Sequence, residues 1–225
     1  MIVASHQPNF LPYMGYFYKM YVCDVFTLSD SVQFSRQGFH NYNFIETKNG
    51  EKSKVIVPVC NHSGAIKDVV LSQWGYNGKK IWRRLCQEYC HAPYFNELKG
   101  NFQWIFETDF KLLSELNIEL ISVIYDLFGF DCGLIEESDL NLTGSTATEQ
   151  IAEICKRTGC NTYLSGTGAR EYLDVPLLNE KGIAVKWSDY KPLDDTNLSV
   201  FDYLMKNGAV VPEEWRKQKE RLHYV

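Results

Sequence analysis

A polar segment, SHQPN, follows directly on the apolar residues 2–4 at the start of the chain. Residues 2–4 indicate a short buried strand, and open α/β sheets bind their ligands at the carboxyl ends of such strands. We therefore take His6 and Gln7 as candidate catalytic residues, and Asn9 and Lys19 just after them as candidate substrate-binding residues. The alternative is that the prolines of HQPNFLP stiffen a surface loop in which His6 is only structural.

A glycine-rich turn, SGTGAR, follows another predicted strand late in the chain. Gly166, between Ser165 and Thr167, exposes backbone N–H groups beside two hydroxyls, and Arg170 adds a positive charge within one helical turn. Such a turn suits a phosphate or carboxylate group. It lacks the lysine of a P-loop and the spacing of a dinucleotide-binding loop, so an ordinary strand-to-helix turn is the alternative.

A third group of polar side chains lies in the segment QFSRQGFHNYN. It holds more of them than a half-buried strand ordinarily does, and Asn41 and Asn43 would share one face of a strand. Because aromatic residues alternate with them, we favour a ligand contact over a solvated face. Arg36, Asn41 and Asn43 are therefore further candidate substrate-binding residues.

The composition is that of a globular protein with a large core, since the 225 residues are 45% hydrophobic and 14% aromatic. A net charge of -5 argues against nucleic acid as the main partner. No signal-peptide pattern or long apolar stretch is present, so we expect a cytoplasmic protein without membrane insertion. The seven scattered cysteines would then be free thiols. Cys86, Cys90 and His91 share a helical face, but nothing completes a tetrahedral site, and we predict no metal.

Hydrophobic periodicity predicts an α/β fold in a single domain over residues 1–225. The dipeptide Asn49-Gly50 predicts a hairpin between two extended segments. The expected architecture is a mixed, mostly parallel sheet with an antiparallel hairpin and covering helices. The predicted strands are residues 2–4, 25–30, 161–164 and 182–190, and the predicted helical segments are residues 14–24, 79–95, 97–127, 147–158 and 198–208, before a charged, frayed tail.

Several segments together resemble the WbqC-like family: HQPNFLPYMGYF, VQFSRQGFHNYN, VIVPV, WRRLCQEYCHAPYF, TYLSGTGAREYLD and LSVFDYLMKNG occur in order over nearly the whole chain. The resemblance implies a bacterial protein of O-antigen (lipopolysaccharide) or other surface polysaccharide biosynthesis, with glycine transfer onto an amino sugar as its suggested role. Family members often have N-R-N-R-I where this chain reads NYNFI. If those arginines bind phosphate in relatives, Arg36 or Arg170 takes that role here.

The layout also resembles nucleotidyltransferases and pantothenate synthetase-type ligases, which hold ATP between a motif after the first strand and a late serine-rich turn. His6 and Gln7 would take the first place, and Ser165, Thr167 and Arg170 the second. The H-x-G-H spacing of the first motif is missing from this sequence.

Our leading hypothesis is an enzyme that joins an amino acid, glycine above all, to the amine of a nucleotide-linked amino sugar. ATP and Mg²⁺ would activate the carboxylate, and His6 would stabilise phosphate charge or act as general base. One alternative is a carrier-bound thioester as acyl donor. Another is a non-catalytic partner of glycosyltransferases that docks through an aromatic surface containing Trp74, Trp82 and Trp104, and the aromatic-rich helices are also compatible with a homodimer.

Overall fold

The strands of the molecule are β1 (Ile2–His6), β2 (Val25–Leu28), β3 (Tyr42–Glu46), β4 (Lys52–Ile56), β5 (Gly133–Glu136), β6 (Thr162–Ser165) and β7 (Ala184–Trp187). In the computed structural model, which describes residues 1–192 and 197–223, five of them form a parallel sheet in the order β5-β2-β1-β6-β7. Strands β3 and β4 pair antiparallel in a separate sheet. The expected mostly parallel α/β fold with an antiparallel hairpin is confirmed.

Helices cover both faces of the parallel sheet, because β1 is apolar on both sides. Ile2 and Ala4 point into the larger core with residues of α1, α4 and α7, whereas Val3 packs on the other face with Ile151 and Leu178. The helices are α1 (Met14–Val22), α2 (Trp74–Tyr89), α3 (Phe95–Glu107), α4 (Leu113–Phe128), α5 (Ala147–Thr158), α6 (Val175–Glu180), α7 (Val200–Asn207) and α8 (Glu213–His223).

Local signals with a strong physical basis place their elements where we predicted them. Helix α5 has the predicted bounds, since Thr146 and Glu149 form a capping box at its start and Gly159 ends it with a φ of 69°. The Asn49-Gly50 turn closes the β3-β4 hairpin, with Gly50 at a φ of 81°.

The predicted continuous helical run over residues 97–127 is wrong, because the chain breaks between α3 and α4. The connecting residues form backbone hydrogen bonds with the segment before α2: Leu71 N–H donates to Lys111 O at 2.9 Å, and Leu113 N–H donates to Val69 O at 2.8 Å. These long-range bonds replace the local ones that would continue the helix.

Two further expectations need correction. Strand β5 is absent from the sequence prediction, because four residues are too few to show the alternation of apolar and polar side chains that marks a strand. Its position depends on pairing with β2, which is distant in sequence. The tail is not frayed over residues 213–223, since α8 packs on α1 and buries Trp215 to 1% exposure against Tyr18 and Tyr21.

The aromatic surface expected for a docking protein is also not present as predicted. Trp74 and Trp82 are in the core with 2% and 7% of their surface exposed, and only Trp104, at 45%, reaches solvent. All seven cysteines are free thiols. Across residues 1–192 and 197–223, no helix has the length and apolar character needed to cross a bilayer.

Side-chain amides hold the loop that follows β1. Asn117 of α4 donates from Nδ2 to Pro8 O and to His40 O, both at 2.8 Å, and its side chain is fully buried. Asn43 of β3 donates to Leu11 O at 2.7 Å. Because this irregular loop has no strand partner, these amides satisfy carbonyls that burial would otherwise leave without donors.

We expect Asn117→Ala to lower the free energy of unfolding by about 2–3 kcal/mol, because two buried carbonyls lose their donor. The exposed Asn101, whose amide donates only to Leu98 O of its own helix, is the matched control, and Asn101→Ala should change stability by less than about 0.5 kcal/mol. Urea unfolding of both variants measures the difference. Equal effects of the two substitutions would contradict the role of Asn117.

Candidate functional site

The carboxyl ends of β1 and β6 open onto a cavity of about 490 Å³. The chain leaves β1 through α1 to reach β2 on one side, and it later enters β6 on the other side through α5. The connections on the two sides of β1 therefore diverge, which leaves a crevice at the point where parallel α/β sheets bind ligands.

Six of the residues predicted from the sequence line this cavity. They come from the end of β1, from α1 and from the turn after β6, and they are His6, Gln7, Lys19, Ser165, Gly166 and Thr167. Strand order explains the convergence, since β1 and β6 are hydrogen-bonded neighbours although about 160 residues separate them in sequence.

The remaining predicted residues are not in the cavity wall. Arg36 is exposed on the loop before β3, and the guanidinium of Arg170 lies 4.9 Å from the Trp187 ring. Asn41 donates to Val57 O at 2.9 Å, and Asn43 holds the loop after β1. Asn9 is buried, and its Oδ1 has no hydrogen-bond partner among the described residues.

Lys19 is a buried cation that lines the cavity. Its side chain is 6% exposed, and its Nζ donates to Ser5 O at 3.3 Å. None of the ion pairs in the described part of the chain includes it. Burial without an acidic partner lowers the pKa of Lys19 to about 8. The ammonium group therefore lacks the counter-charge that buried cations normally have, and an anionic ligand would supply it.

His6 lies beside Lys19 at the end of β1. Its ring packs against Tyr16 with 4.7 Å between ring centroids, and Nδ1 is 3.3 Å from Gln7 O. Burial, and then the charge of Lys19, hold the pKa of His6 well below its usual value. The imidazole is therefore neutral at neutral pH. It can donate or accept a hydrogen bond, but it does not add a second positive charge to the cavity beside Lys19.

The carboxylate of Glu137 also lines the cavity. It follows β5, is 6% exposed, and accepts hydrogen bonds at Oε1 from Thr27 Oγ1 at 2.7 Å and Ser29 Oγ at 2.8 Å. Ser5 Oγ lies 2.6 Å from Thr27 Oγ1 and extends this network to β1. Burial is the main reason that the pKa of Glu137 is raised.

The turn after β6 leaves room for a ligand. A Cβ added at Gly166 or Gly168 would meet no heavy atom within 4 Å, so the backbone here is open to close approach. The N–H groups of Thr167 and Gly168 begin a 3₁₀ turn and have no acceptor within it. This arrangement can receive oxygen atoms of a phosphate or carboxylate.

Aromatic rings form the rim of the cavity. Tyr13, Tyr172 and Tyr190 line it, and Tyr13 and Tyr190 pack edge to face with 6.1 Å between their centroids. Gly15 is required beneath them, because a Cβ there would lie 2.4 Å from the Tyr13 ring and 2.6 Å from the Tyr190 ring. Such rings offer flat apolar surface to a nucleobase or a sugar.

A second, larger cavity of about 780 Å³ lies beside α5, toward the start of β7. Its two carboxylates already serve local backbone: Glu153 accepts from Thr143 N–H at 2.7 Å, and Glu149 accepts from Ser145 N–H at 2.9 Å. Both carboxylates of this groove therefore have hydrogen-bond donors from the protein's own backbone.

Sequence reasoning missed Glu137 and its hydroxyl donors. Glu137 was overlooked because the strand before it was not predicted, and Thr27 and Ser29 lay within the predicted strand 25–30 with no signal that marked them as site residues. Once β5 is recognised in DCGLIEE, the rule that selected His6 also selects Glu137, because both stand at the carboxyl end of a parallel strand.

The fold is that of an open parallel α/β protein with a cavity, the candidate ligand site, at its topological switch point. The WbqC-like protein family model matches residues 7–213, and the chain belongs to this family. A Mycobacterium tuberculosis protein, "Uncharacterized protein Rv1507c", is 29% identical over 229 residues, which cover 95% of this chain and 97% of the relative. No solved structure matches the chain significantly.

We expect Lys19→Met to raise the free energy of unfolding at pH 7 by about 1–3 kcal/mol, because an apolar side chain of similar length replaces an uncompensated buried charge. The exposed Lys80 gives the control, since Lys80→Met should change stability by less than about 0.5 kcal/mol. Chemical denaturation measures both. A loss of stability in Lys19→Met would mean that the ammonium is well compensated in the folded protein.

The stability advantage of Lys19→Met should shrink as the pH rises above about 8. The folded protein releases the Lys19 proton near pH 8, whereas the unfolded chain keeps it to the usual lysine pKa of about 10.4. Between these values the unfolded state binds more protons, so the wild-type protein gains stability with pH. Denaturation midpoints at pH 7 and pH 10 test this, and a constant difference would contradict the lowered pKa.

Proposed function

We propose that the protein is a cytoplasmic enzyme that forms an amide between an amino acid, glycine above all, and the amine of a nucleotide-linked amino sugar. The observation that carries the proposal is the buried, uncompensated ammonium of Lys19 in a cavity at the switch point of the sheet. A phosphorylated ligand would provide its counter-charge. Belonging to the WbqC-like family supports a role in surface polysaccharide (O-antigen) biosynthesis.

The cavity offers separate places for the parts of such a substrate. Lys19 and the open backbone around Gly166 would bind phosphate oxygens, and the tyrosine rim would pack against the base or sugar. The role that we assigned to Arg36 or Arg170 would thus fall to Lys19, because neither arginine lines the cavity.

ATP would supply the activation that a free carboxylate lacks, in the form of an acyl–phosphate anhydride. The open backbone of the turn around Gly166 would receive phosphate oxygens of ATP, while Lys19 would bind the phosphates of the sugar nucleotide. Mg²⁺ would enter with the phosphates, as is usual for this ion, because the described residues contain no group of three His, Cys, Asp or Glu side chains placed to hold a metal.

His6 would act as a neutral group in this reaction. With its pKa held low, the imidazole would orient the reacting groups by a hydrogen bond or accept a proton transiently, and Gln7 would orient the substrate beside it. Lys19, with its pKa of about 8, remains mostly protonated at neutral pH and would keep the anion in place.

The test is mass spectrometry of the protein incubated with Mg·ATP, glycine and UDP- or dTDP-linked 4-amino sugars, with ATP omitted in parallel. We expect a product heavier by one glycyl group only when ATP is present. A product formed instead from a carrier-bound glycyl thioester, without ATP, would replace the ligase by an acyltransferase on the same amine. No product and no nucleotide binding would overturn the proposal.

Variants separate binding from chemistry. We expect Lys19→Met to weaken binding of the nucleotide-linked sugar at least about tenfold, equivalent to about 1.4 kcal/mol. His6→Gln should lower turnover about 100-fold or more while the nucleotide affinity changes little. Isothermal titration and product formation measure the two effects, with Lys80→Met as the control. An unchanged turnover in His6→Gln would exclude His6 from the reaction.

A further inference from the structure

The cavity contains two buried charges of opposite sign that do not neutralise each other. Lys19 contributes an ammonium and Glu137 a carboxylate, and no ion pair in the described part of the chain includes either one. Lys19 approaches the end of β1, whereas Glu137 is held by hydroxyls at the end of β2. Two isolated buried charges are unfavourable for folding alone, which points to a ligand that carries both complementary charges.

The carboxylate of Glu137 is fixed in one orientation. Thr27 and Ser29 both donate to Oε1, and Ser5 continues the hydroxyl chain. These hydroxyl groups satisfy part of the hydrogen-bonding capacity of the Glu137 carboxylate, but they carry no positive charge. A cationic partner is therefore the missing component, and the described residues do not provide one.

Resting on the proposed function, we propose that Glu137 binds the amine of the nucleotide-linked sugar as an ammonium ion while Lys19 binds its phosphates. Glu137 would then take one proton from the ammonium nitrogen, which frees its lone pair. That nitrogen forms the bond to the carbon of the activated acyl group, the bond from this carbon to its leaving group breaks, and the leaving group takes the electron pair. The second proton of the nitrogen passes to solvent through the cavity.

The chemistry favours an amine over a metal ion at this position. Carboxylate-bound divalent cations ordinarily have several oxygen ligands, often from more than one acidic residue. Among the residues described, Glu137 belongs to no group of three metal-binding side chains, and Asp30 nearby already accepts from Ser138 N–H at 2.9 Å. One carboxylate with fixed hydroxyls suits an ammonium group, whose hydrogens can bond to these oxygen atoms.

The experiment compares binding of dTDP- and UDP-linked 4-amino sugars with the corresponding 4-hydroxy sugars by isothermal titration calorimetry. We expect the wild-type protein to bind the amino sugar at least about tenfold more tightly. Glu137→Gln keeps the shape and the acceptor oxygen but removes the charge, and it should abolish this preference while dTDP or UDP itself binds as before. The adjacent Glu136 does not line the cavity, so Glu136→Gln should behave as the wild type.

The remaining outcomes separate the two proposals. If nucleotides bind and Glu137→Gln keeps the preference for the amino sugar, the role of Glu137 is overturned while the proposed function stands. If the wild-type protein binds none of these nucleotides, the proposed function fails and the role of Glu137 fails with it. Saturable Mg²⁺ binding that disappears in Glu137→Gln would assign the carboxylate to a metal instead. If Glu137→Gln does not fold, Ser29→Ala takes its place in the experiment. This variant removes one hydrogen-bond donor to the carboxylate, and it should lose part of the preference for the amino sugar over the hydroxy sugar.

Discussion

Strand β1 has hydrogen-bonded neighbours on both sides, β2 and β6, and this pairing brings together the strand ends around which the candidate site is built. The β2 side brings the hydroxyls that hold Glu137, and the β6 side brings the glycine-rich turn. Because all three strands are parallel, their carboxyl ends meet at one edge, and residues from distant parts of the sequence share a wall. The loop after β1 then needs the asparagine amides to keep His6 and Gln7 at that edge.

The energetics of the cavity differ from those of the core around it. The buried side chains of core residues such as Phe10 and Phe17 have no polar groups, whereas those of Lys19 and Glu137 carry charges that are almost fully removed from water. Buried charges without opposite partners oppose folding, and they persist where binding requires them. The contrast distinguishes this cavity from the larger groove beside α5, whose carboxylates cap backbone N–H groups and contribute to local structure.

Sequence reasoning succeeded where the signal was local. The strand before His6, the hairpin at Asn49-Gly50 and the capped helix α5 each depend on neighbouring residues, and the structure has all three. It failed where pairing between distant segments decided the outcome, as in strand β5 and in the break between α3 and α4. For the site, strand ends identified His6 and the turn at Ser165, but a search for unusual polar residues also selected Asn41 and Asn43, whose amides bond to backbone. Buried amides of this kind and ligand-binding amides have the same sequence pattern, and only the tertiary contacts distinguish them.

The central position of β1 also affects how the protein is made. Ile2 lies opposite Thr162 in the sheet, so a strand synthesised early has one edge without its partner until about 160 more residues have been added. At the usual rates of translation this takes on the order of 10–30 seconds, during which an apolar strand edge is available to other chains. Helix α1 and strand β2 follow at once and can cover part of β1 during this interval. The strand order that creates the cavity therefore also leaves one edge of β1 without its partner until β6 has been synthesised.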